Sequence, residues 1–393
     1  MHIAYTAEQE RLRADLRHYF HQLMTPERRA AMDDPTAEFG SGTTYRDVIK
    51  QLGTDGWLGI GWPHKYGGQN RTMIEQAIFV DEATTAGVPL PLLTMNTVGP
   101  TIMEYGSEEQ KNFFLPKILA GQMHFAIGYS EPGAGTDLAS LTTRAVRDGD
   151  DYVINGSKMW TSVIEHADYV WLATRTDPAA ARHKGLSMFL VPTTAAGFSY
   201  SPVPTLSGAT TSQTFYDDVR VPASALVGEL NGGWRLITGQ LNRERVALCS
   251  PAGVQTALAE TRAWAQRTTL PDGRRIIDQD SVRSNLGRVH AKVEFLKLIN
   301  WKIAWGVDKG VSPADASATK VFGTELAVEA YRLLMECIGE EACVRAASPG
   351  AAIQGRLERA YRGALILTFG GGTNEIQRDI IATVGLGMPR APR

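Results

Sequence analysis

Residues 129–162, YSEPGAGTDLASLTTRAVRDGDDYVINGSKMWTS, constrain the fold more than any other stretch of this chain. The apolar run Phe125-Ala126-Ile127 leads into the stretch and stops at Ser130-Glu131-Pro132. Gly133-Ala134-Gly135 then forms a turn whose backbone is open to close approach, because two of its residues lack a Cβ. Thr136 and Asp137 add a hydroxyl and a carboxylate beside bare N–H donors, and such a loop can cradle a pyrophosphate. Taken alone it is equally a surface turn between strands. Further on, Asn155-Gly156 lies between the apolar Tyr152-Val153-Ile154 and Met159-Trp160, which predicts a hairpin turn there. That turn would set the Trp160 indole and the Thr161 and Ser162 hydroxyls near the same loop.

The hydrophobic period changes on either side of this stretch. Thr6-Ala7-Glu8-Gln9 reads as a capping box, and Leu12, Leu16, Tyr19, Phe20 and Leu23 follow at helical spacing, predicting a helix over 7–24. Residues 25–43 are polar, with Pro35, Gly40 and Gly42, and read as a loop. Further helices are predicted over 45–52, 73–86 and from Ser107-Glu108-Glu109-Gln110 to about Leu119, so residues 1–123 form an all-helical domain. Short runs rich in aromatic and β-branched residues (152–154, 169–173, 186–191, 214–216) make 124–228 an antiparallel β domain. The 186–191 run alternates weakly, which predicts burial on both faces. Helices return over 229–393. One long helix is predicted over 234–266, and Val282, Leu286, Val289, Val293, Leu296, Ile299 and Ile303 form a stripe on another. Ser312-Pro313 caps a third that reaches about Ile338. Gly370-Gly371-Gly372 breaks the pattern before a last helix near Ile376. The fold class is α+β.

A formal charge of −2 over 393 residues excludes a general nucleic-acid binder. Cys249, Cys337 and Cys343 are too few and too scattered for a disulfide framework and read as buried small hydrophobes in a reducing compartment. No apolar run reaches the length of a membrane span, and a cytoplasmic location is expected. His18 and His21, three apart on the first helix, read as a solvated face, and no metal site is expected.

The two halves of the central stretch resemble the flavin-binding strands of acyl-CoA dehydrogenases, whose patterns are roughly xxTEPGAGSD and NGxKxWxT. Trp62-Pro63-His64-Lys65-Tyr66-Gly67-Gly68 resembles that family's W-P-x-x-Y-G-G, and the likeness extends over nearly the whole chain in the order helical, β, helical. It implies an FAD-dependent α,β-desaturation of an acyl-CoA thioester, in which a base takes the Cα proton and flavin N5 takes the Cβ hydride. It also implies that Ser130, Gly135, Thr136, Trp160, Ser162, Thr373 and Glu375 contact FAD, and that Thr136, Arg245 and Gly371 contact the acyl-CoA.

The family carries its base in one of two places. One precedes the Gly-Thr of a C-terminal Y-E-G-T pattern, where this chain has Gly371. The other is a D-x-E-R variant matched by Asn242-Arg243-Glu244-Arg245, which makes Glu244 the implied base. By spacing alone Glu244 is a helix-surface carboxylate beside Arg243 and Arg245. Glu375 is the competing carboxylate, at a flavin-contacting position. The space left at Gly371, the MTPERR segment and the GGGTNE ending look most like actinobacterial members that oxidise steroid side-chain CoA thioesters in cholesterol catabolism. The resemblance implies a second, different family subunit in an α2β2 tetramer and an electron-transfer flavoprotein as acceptor. Arg267–Gly273 and Met335–Glu341 depart from the motifs that reach the FAD of an adjacent subunit. A non-catalytic subunit and an acyl-CoA oxidase are the alternative readings.

Overall fold

The computed structural model describes residues 3–32, 42–239, 249–306, 312–346 and 348–390. The chain divides into two compact units. One comprises 1–21, 73–88 and 245–393, and the other 22–72 and 89–244.

Helix α1 (Ala7–Leu23) begins where the capping box places it, with Thr6 and Gln9 exchanging backbone-to-side-chain hydrogen bonds of 3.0 and 3.2 Å. His18 and His21 are exposed on it. The segment expected to be a loop contains a further helix, α2 (Pro26–Met32). Pro26 supplies a preset φ at the first helical position, and the Thr25 hydroxyl accepts the Arg28 N–H (3.3 Å). Helices α3 (Thr44–Thr54), α4 (Met73–Ala86), α5 (Gly99–Tyr105) and α6 (Glu108–Leu119) follow, the last with a complete Ser107/Gln110 capping box. The Trp62–Gly68 loop is anchored by the Trp62 indole N–H, which donates to the Met95 carbonyl (3.1 Å).

Eight strands come next: β1 (Phe125–Gly128), β2 (Arg144–Asp148), β3 (Asp151–Lys158), β4 (Tyr169–Arg175), β5 (Leu186–Pro192), β6 (Phe198–Pro204), β7 (Thr210–Pro222) and β8 (Leu226–Val227). They form one sheet in the order β6-β7-β3-β2-β4-β5-β8, with β1 added beside β4. The pairing is antiparallel except at β1–β4 and β2–β4, which run parallel. β5 is buried from Leu186 to Val191, as its continuous apolar run predicts.

The hairpin turn is not at Asn155-Gly156. It lies at Gly149-Asp150, between β2 and β3, and the Asn-Gly pair sits inside β3 at a bulge opposite β7. The Asn155 side-chain amide donates across that bulge to Asp218 (2.9 Å), whose backbone N–H returns a bond to Asn155 Oδ1 (3.1 Å). Gly156 has φ +146°, and a Cβ there would stand 2.6 Å from Thr143 Oγ1 and 2.7 Å from its Cα. The glycine permits close strand approach instead of a turn.

Helical residues 233–239 (α7) open the C-terminal part, and α8 (Ala252–Arg267), α9 (Asp280–Gly306), α10 (Pro313–Ile338), α11 (Arg356–Ala364) and α12 (Asn374–Ile380) follow. One continuous helix over 234–266 is not formed, because residues 249–251 are non-helical. Pro251 disfavours helical backbone at Ser250, and the Ser250 hydroxyl is committed to Asp81 (2.5 Å). The α9 stripe is buried at every expected position except Ile299, which is half-buried, and packs with α8 and α10 around Leu326, Leu333 and Leu334. The three cysteines are free; Cys249 and Cys337 are buried, whereas Cys343 is exposed in a short turn after α10 and is no core residue. Among the described residues no helix is long and apolar enough to cross a membrane, and no His, Cys, Asp and Glu cluster could hold a metal ion.

Candidate functional site

In the unit that contains the sheet, Ser130, Gly135, Thr136, Trp160 and Ser162 belong to two segments fastened side by side. The Met159 N–H donates to the Ser130 carbonyl (2.8 Å), which sets Ser130 next to Trp160. Below them lies a charge pair that the sequence reading did not assign. The fully buried Lys158 ammonium donates to the Tyr129 carbonyl (3.0 Å) and to Glu131 Oε1 (2.9 Å). Glu131, itself 7% exposed, also accepts from the Thr142 N–H and hydroxyl (both 2.7 Å) and the Thr143 N–H (2.8 Å). Burial alone would raise the Glu131 carboxyl, but the Lys158 charge and these donors outweigh it and hold the group down at about 2. Burial lowers Lys158 to about 8 against the opposing pull of Glu131, so the pair is ionised at neutral pH. It ties the glycine turn to the far end of β3. Both residues stand inside the motifs, which were the available signal.

Above this brace the backbone is strained. Trp160 (φ +67°) and Val163 (φ +56°) are left-handed without being glycine, each a conformation that costs of order 1–3 kcal/mol and persists only where the surroundings enforce it. Here the enforcing bonds are the Thr161 N–H to the Ser212 carbonyl (2.8 Å) and the buried contact of its hydroxyl with Thr214 (3.3 Å). Strain so placed leaves Trp160 57% exposed. The Ser162 hydroxyl lies 3.1 Å from that of Thr211. Glu131 and Ala134 exchange backbone bonds of 2.8 and 3.1 Å around Pro132-Gly133, closing the turn tightly. A Cβ added at Gly133 or Gly135 would meet no atom within 4 Å, and Gly135 and Thr136 are exposed. An outward-facing indole beside open backbone and the exposed Thr136 fits a large, flat, phosphate-bearing cofactor such as FAD.

The other unit holds Gly371, Thr373 and Glu375. Gly371 (φ +67°) and Gly372 (φ +93°) carry the chain in the left-handed region to Thr373, whose hydroxyl caps α12 by accepting the Ile376 N–H (3.3 Å). The helix therefore starts two residues before the expected Ile376. Glu375 is exposed, and its own backbone N–H and the Thr373 hydroxyl lower its carboxyl. Lys320, buried on α10, donates to both flanks of the glycine segment, at the Thr368 carbonyl and the Asn374 side chain; the sequence reading missed this. Glu244 and Arg245 lie outside the described residues.

Family models for the N-terminal, middle and C-terminal domains of acyl-CoA dehydrogenases match residues 6–122, 126–219 and 231–386. The chain is 61% identical to acyl-CoA dehydrogenase FadE26 of Mycobacterium tuberculosis over the full length of both. Among solved structures it resembles a chain of the ChsE4-ChsE5 complex from Mycobacterium tuberculosis (61% identity, TM-score 0.94) and one of the Tcur3481-Tcur3483 steroid ACAD (49% identity, TM-score 0.93). In both cases the match covers 100% of each chain. With three family domains in order and full-length identity of this extent, the chain belongs to the acyl-CoA dehydrogenase family and is an acyl-CoA dehydrogenase.

Proposed function

We propose that this chain is the FAD-bearing catalytic subunit of an acyl-CoA dehydrogenase that desaturates a bulky, steroid-type CoA thioester between Cα and Cβ. The observation that carries the reading is Trp160, a strained and braced residue that is more than half exposed. FAD, when bound, supplies the hydride acceptor. Trp160 would pack on the ring system, Ser130 and Ser162 would hydrogen-bond it, and Gly135 and Thr136 would meet phosphate and acyl-CoA. Thr373 and Glu375 are assigned further cofactor contacts.

Glu244 is assigned as the base that removes the Cα proton, with Arg245 beside it and Gly371 against the substrate. A carboxylate can do this where its surroundings are dry and its proton affinity is raised. Enolate-like charge on the thioester oxygen needs fixed donors, and the Gly371 N–H is one. A glycine at 371 leaves room beside Cα and Cβ, which favours a bulky acyl group. The relatives named as a ChsE4-ChsE5 complex and as a steroid ACAD support both the substrate class and a second, different subunit in an α2β2 assembly. An electron-transfer flavoprotein is the proposed acceptor and the cytoplasm the proposed location. The boundaries 1–123, 124–228 and 229–393 are the proposed division into domains.

The test is flavin absorbance per chain, for the protein alone and co-expressed with a candidate partner, followed by turnover of a steroid side-chain CoA ester. We expect flavin only in the complex, at about one per two chains. Glu244→Gln should keep that flavin and lose about 10²–10⁴-fold in turnover, the usual worth of a positioned base. Full flavin in the lone chain would overturn the shared site, and an active Glu244→Gln enzyme would overturn the base.

A further inference from the structure

A buried polar seam joins α10 to α12, and a lysine is at its centre. Ser317, Lys320 and Thr324 lie along one stripe of α10 and face Asn374 and Gln377 of α12, all of them buried. The Lys320 ammonium donates to the Thr368 carbonyl (3.1 Å) and to Asn374 Oδ1 (2.7 Å). The Asn374 amide donates in turn to the Thr324 hydroxyl (3.1 Å) and to Glu325 (3.2 Å). Ser317 donates to Gln377 Oε1 (2.9 Å), and Gln377 reaches the Gly372 carbonyl (3.4 Å).

Two helices can pack without such a seam, since apolar side chains of similar volume avoid the desolvation of an ammonium. What the seam adds is a grip on both flanks of 369–373. Three consecutive glycines have no side chains by which to be packed, and each has more conformational freedom to lose than any other residue. We propose that Lys320 is a positioning residue: bonded to Thr368 on one side and Asn374 on the other, it holds the Gly370-Gly371-Gly372 loop in one conformation and thereby fixes the Gly371 backbone that receives the thioester. The second half of this inference rests on the function proposed above; the first does not.

The experiment compares wild type, Lys320→Met and Lys320→Arg as full-length chains in the flavin-loaded complex, by amide hydrogen exchange and by steady-state turnover. Lys320→Met should speed exchange at 370–373 by at least about 10-fold and leave the α9 segment 282–296 unchanged. It should lower kcat by about 10–100-fold with KM within about 3-fold, the pattern of a displaced group in the transition state. Lys320→Arg should fall between it and wild type. Where Lys320→Met does not assemble, Asn374→Ala removes one anchor while keeping the ammonium and should speed loop exchange about 3–10-fold. Unchanged loop exchange overturns the proposal, as does faster exchange with unchanged kcat. Wild type that oxidises no acyl-CoA thioester would refute the proposed function alone, and loop exchange would still decide whether Lys320 holds the loop.

Discussion

Replacing Lys158 by methionine removes the buried ammonium and leaves its stem, so the packing volume is nearly kept. Glu131 would then be a carboxylate 7% exposed with three hydrogen-bond donors and no counter-charge. In the native protein its carboxyl is held at about 2 against an ordinary 4.5. That gap favours the folded state. Lys158 shifts the other way, from 10.5 down to about 8, and offsets part of this, so the size of the effect is set by the buried pair as a whole. The proton affinity of Glu131 is depressed on folding, so its share of the stability is full above pH 4.5 and is lost as the pH falls towards 2. Removing one partner of a buried pair costs about 3–5 kcal/mol, whereas replacing both by well-packed apolar groups of similar volume is often close to neutral. Lys158→Met should therefore destabilise the 129–135 and 156–162 segments by about 3 kcal/mol at pH 7, and Glu131→Gln/Lys158→Met by less, about 1–2 kcal/mol, since the charge is gone but the Gln amide NH2 faces an N–H donor. Two compact units need not unfold in one step, so the assay is amide hydrogen exchange in those segments, with the thermal midpoint alongside. We expect exchange about 100-fold faster in the single variant and about 10-fold faster in the double. Exchange in Lys158→Met within about 3-fold of wild type, or a double variant as damaged as the single, would refute the reasoning.

Two further substitutions test other parts of the fold. Gly156→Ala would push a Cβ to within 2.6–2.9 Å of Thr143 and should cost about 1–3 kcal/mol, the usual price of overpacking, read as a lower thermal midpoint; an unchanged midpoint would show that β2 and β3 can separate freely. Burial raises the Asp81 carboxyl from 3.8 to about 6, with Glu82 adding to the rise and the Ser250 hydroxyl, Lys297 and Arg13 opposing it. Its folded form holds the proton more tightly than its unfolded form, so it costs stability above pH 6, and that cost fades as the pH falls towards 3.8. Asp81→Asn keeps an acceptor for Ser250 and should raise the midpoint at pH 7.5, by about 1–3 kcal/mol in stability terms, while flattening its pH dependence between 4 and 6; a lower midpoint would contradict this.

Much of the architecture was legible because the hydrophobic period carries it. The caps at Thr6, Ser107 and Ser312 and the α9 stripe are local signals, and tertiary structure left them intact. The Asn155-Gly156 expectation failed because two readings of a glycine, tight turn and close approach, look alike in one dimension. Only the neighbouring strand, with Thr143 against Gly156 and Asp218 against Asn155, separates them. Pro26 was read with the polar residues after it, although a proline behind a threonine also starts a helix. In the candidate site, the glycine turn and Trp160 stood out within their motifs, but the buried supports did not. Glu131 and Lys158 lie 27 residues apart and Lys320 and Asn374 lie 54 apart, so no spacing rule connects them, and burial is what gives them their weight.

The left-handed glycines at 371 and 372 also bear on which sequences remain within reach of this one. A glutamate placed at 371 on this backbone would stand at φ +67°, at a cost of about 1–2 kcal/mol relative to glycine, before its carboxylate found a partner. A single substitution there would weaken the loop before any new side chain could contribute. The glycine thus acts as a ratchet on its own loop: any side chain placed at 371 must first meet the cost of a left-handed backbone, so the position is more open to loss of loop order than to the gain of a new group.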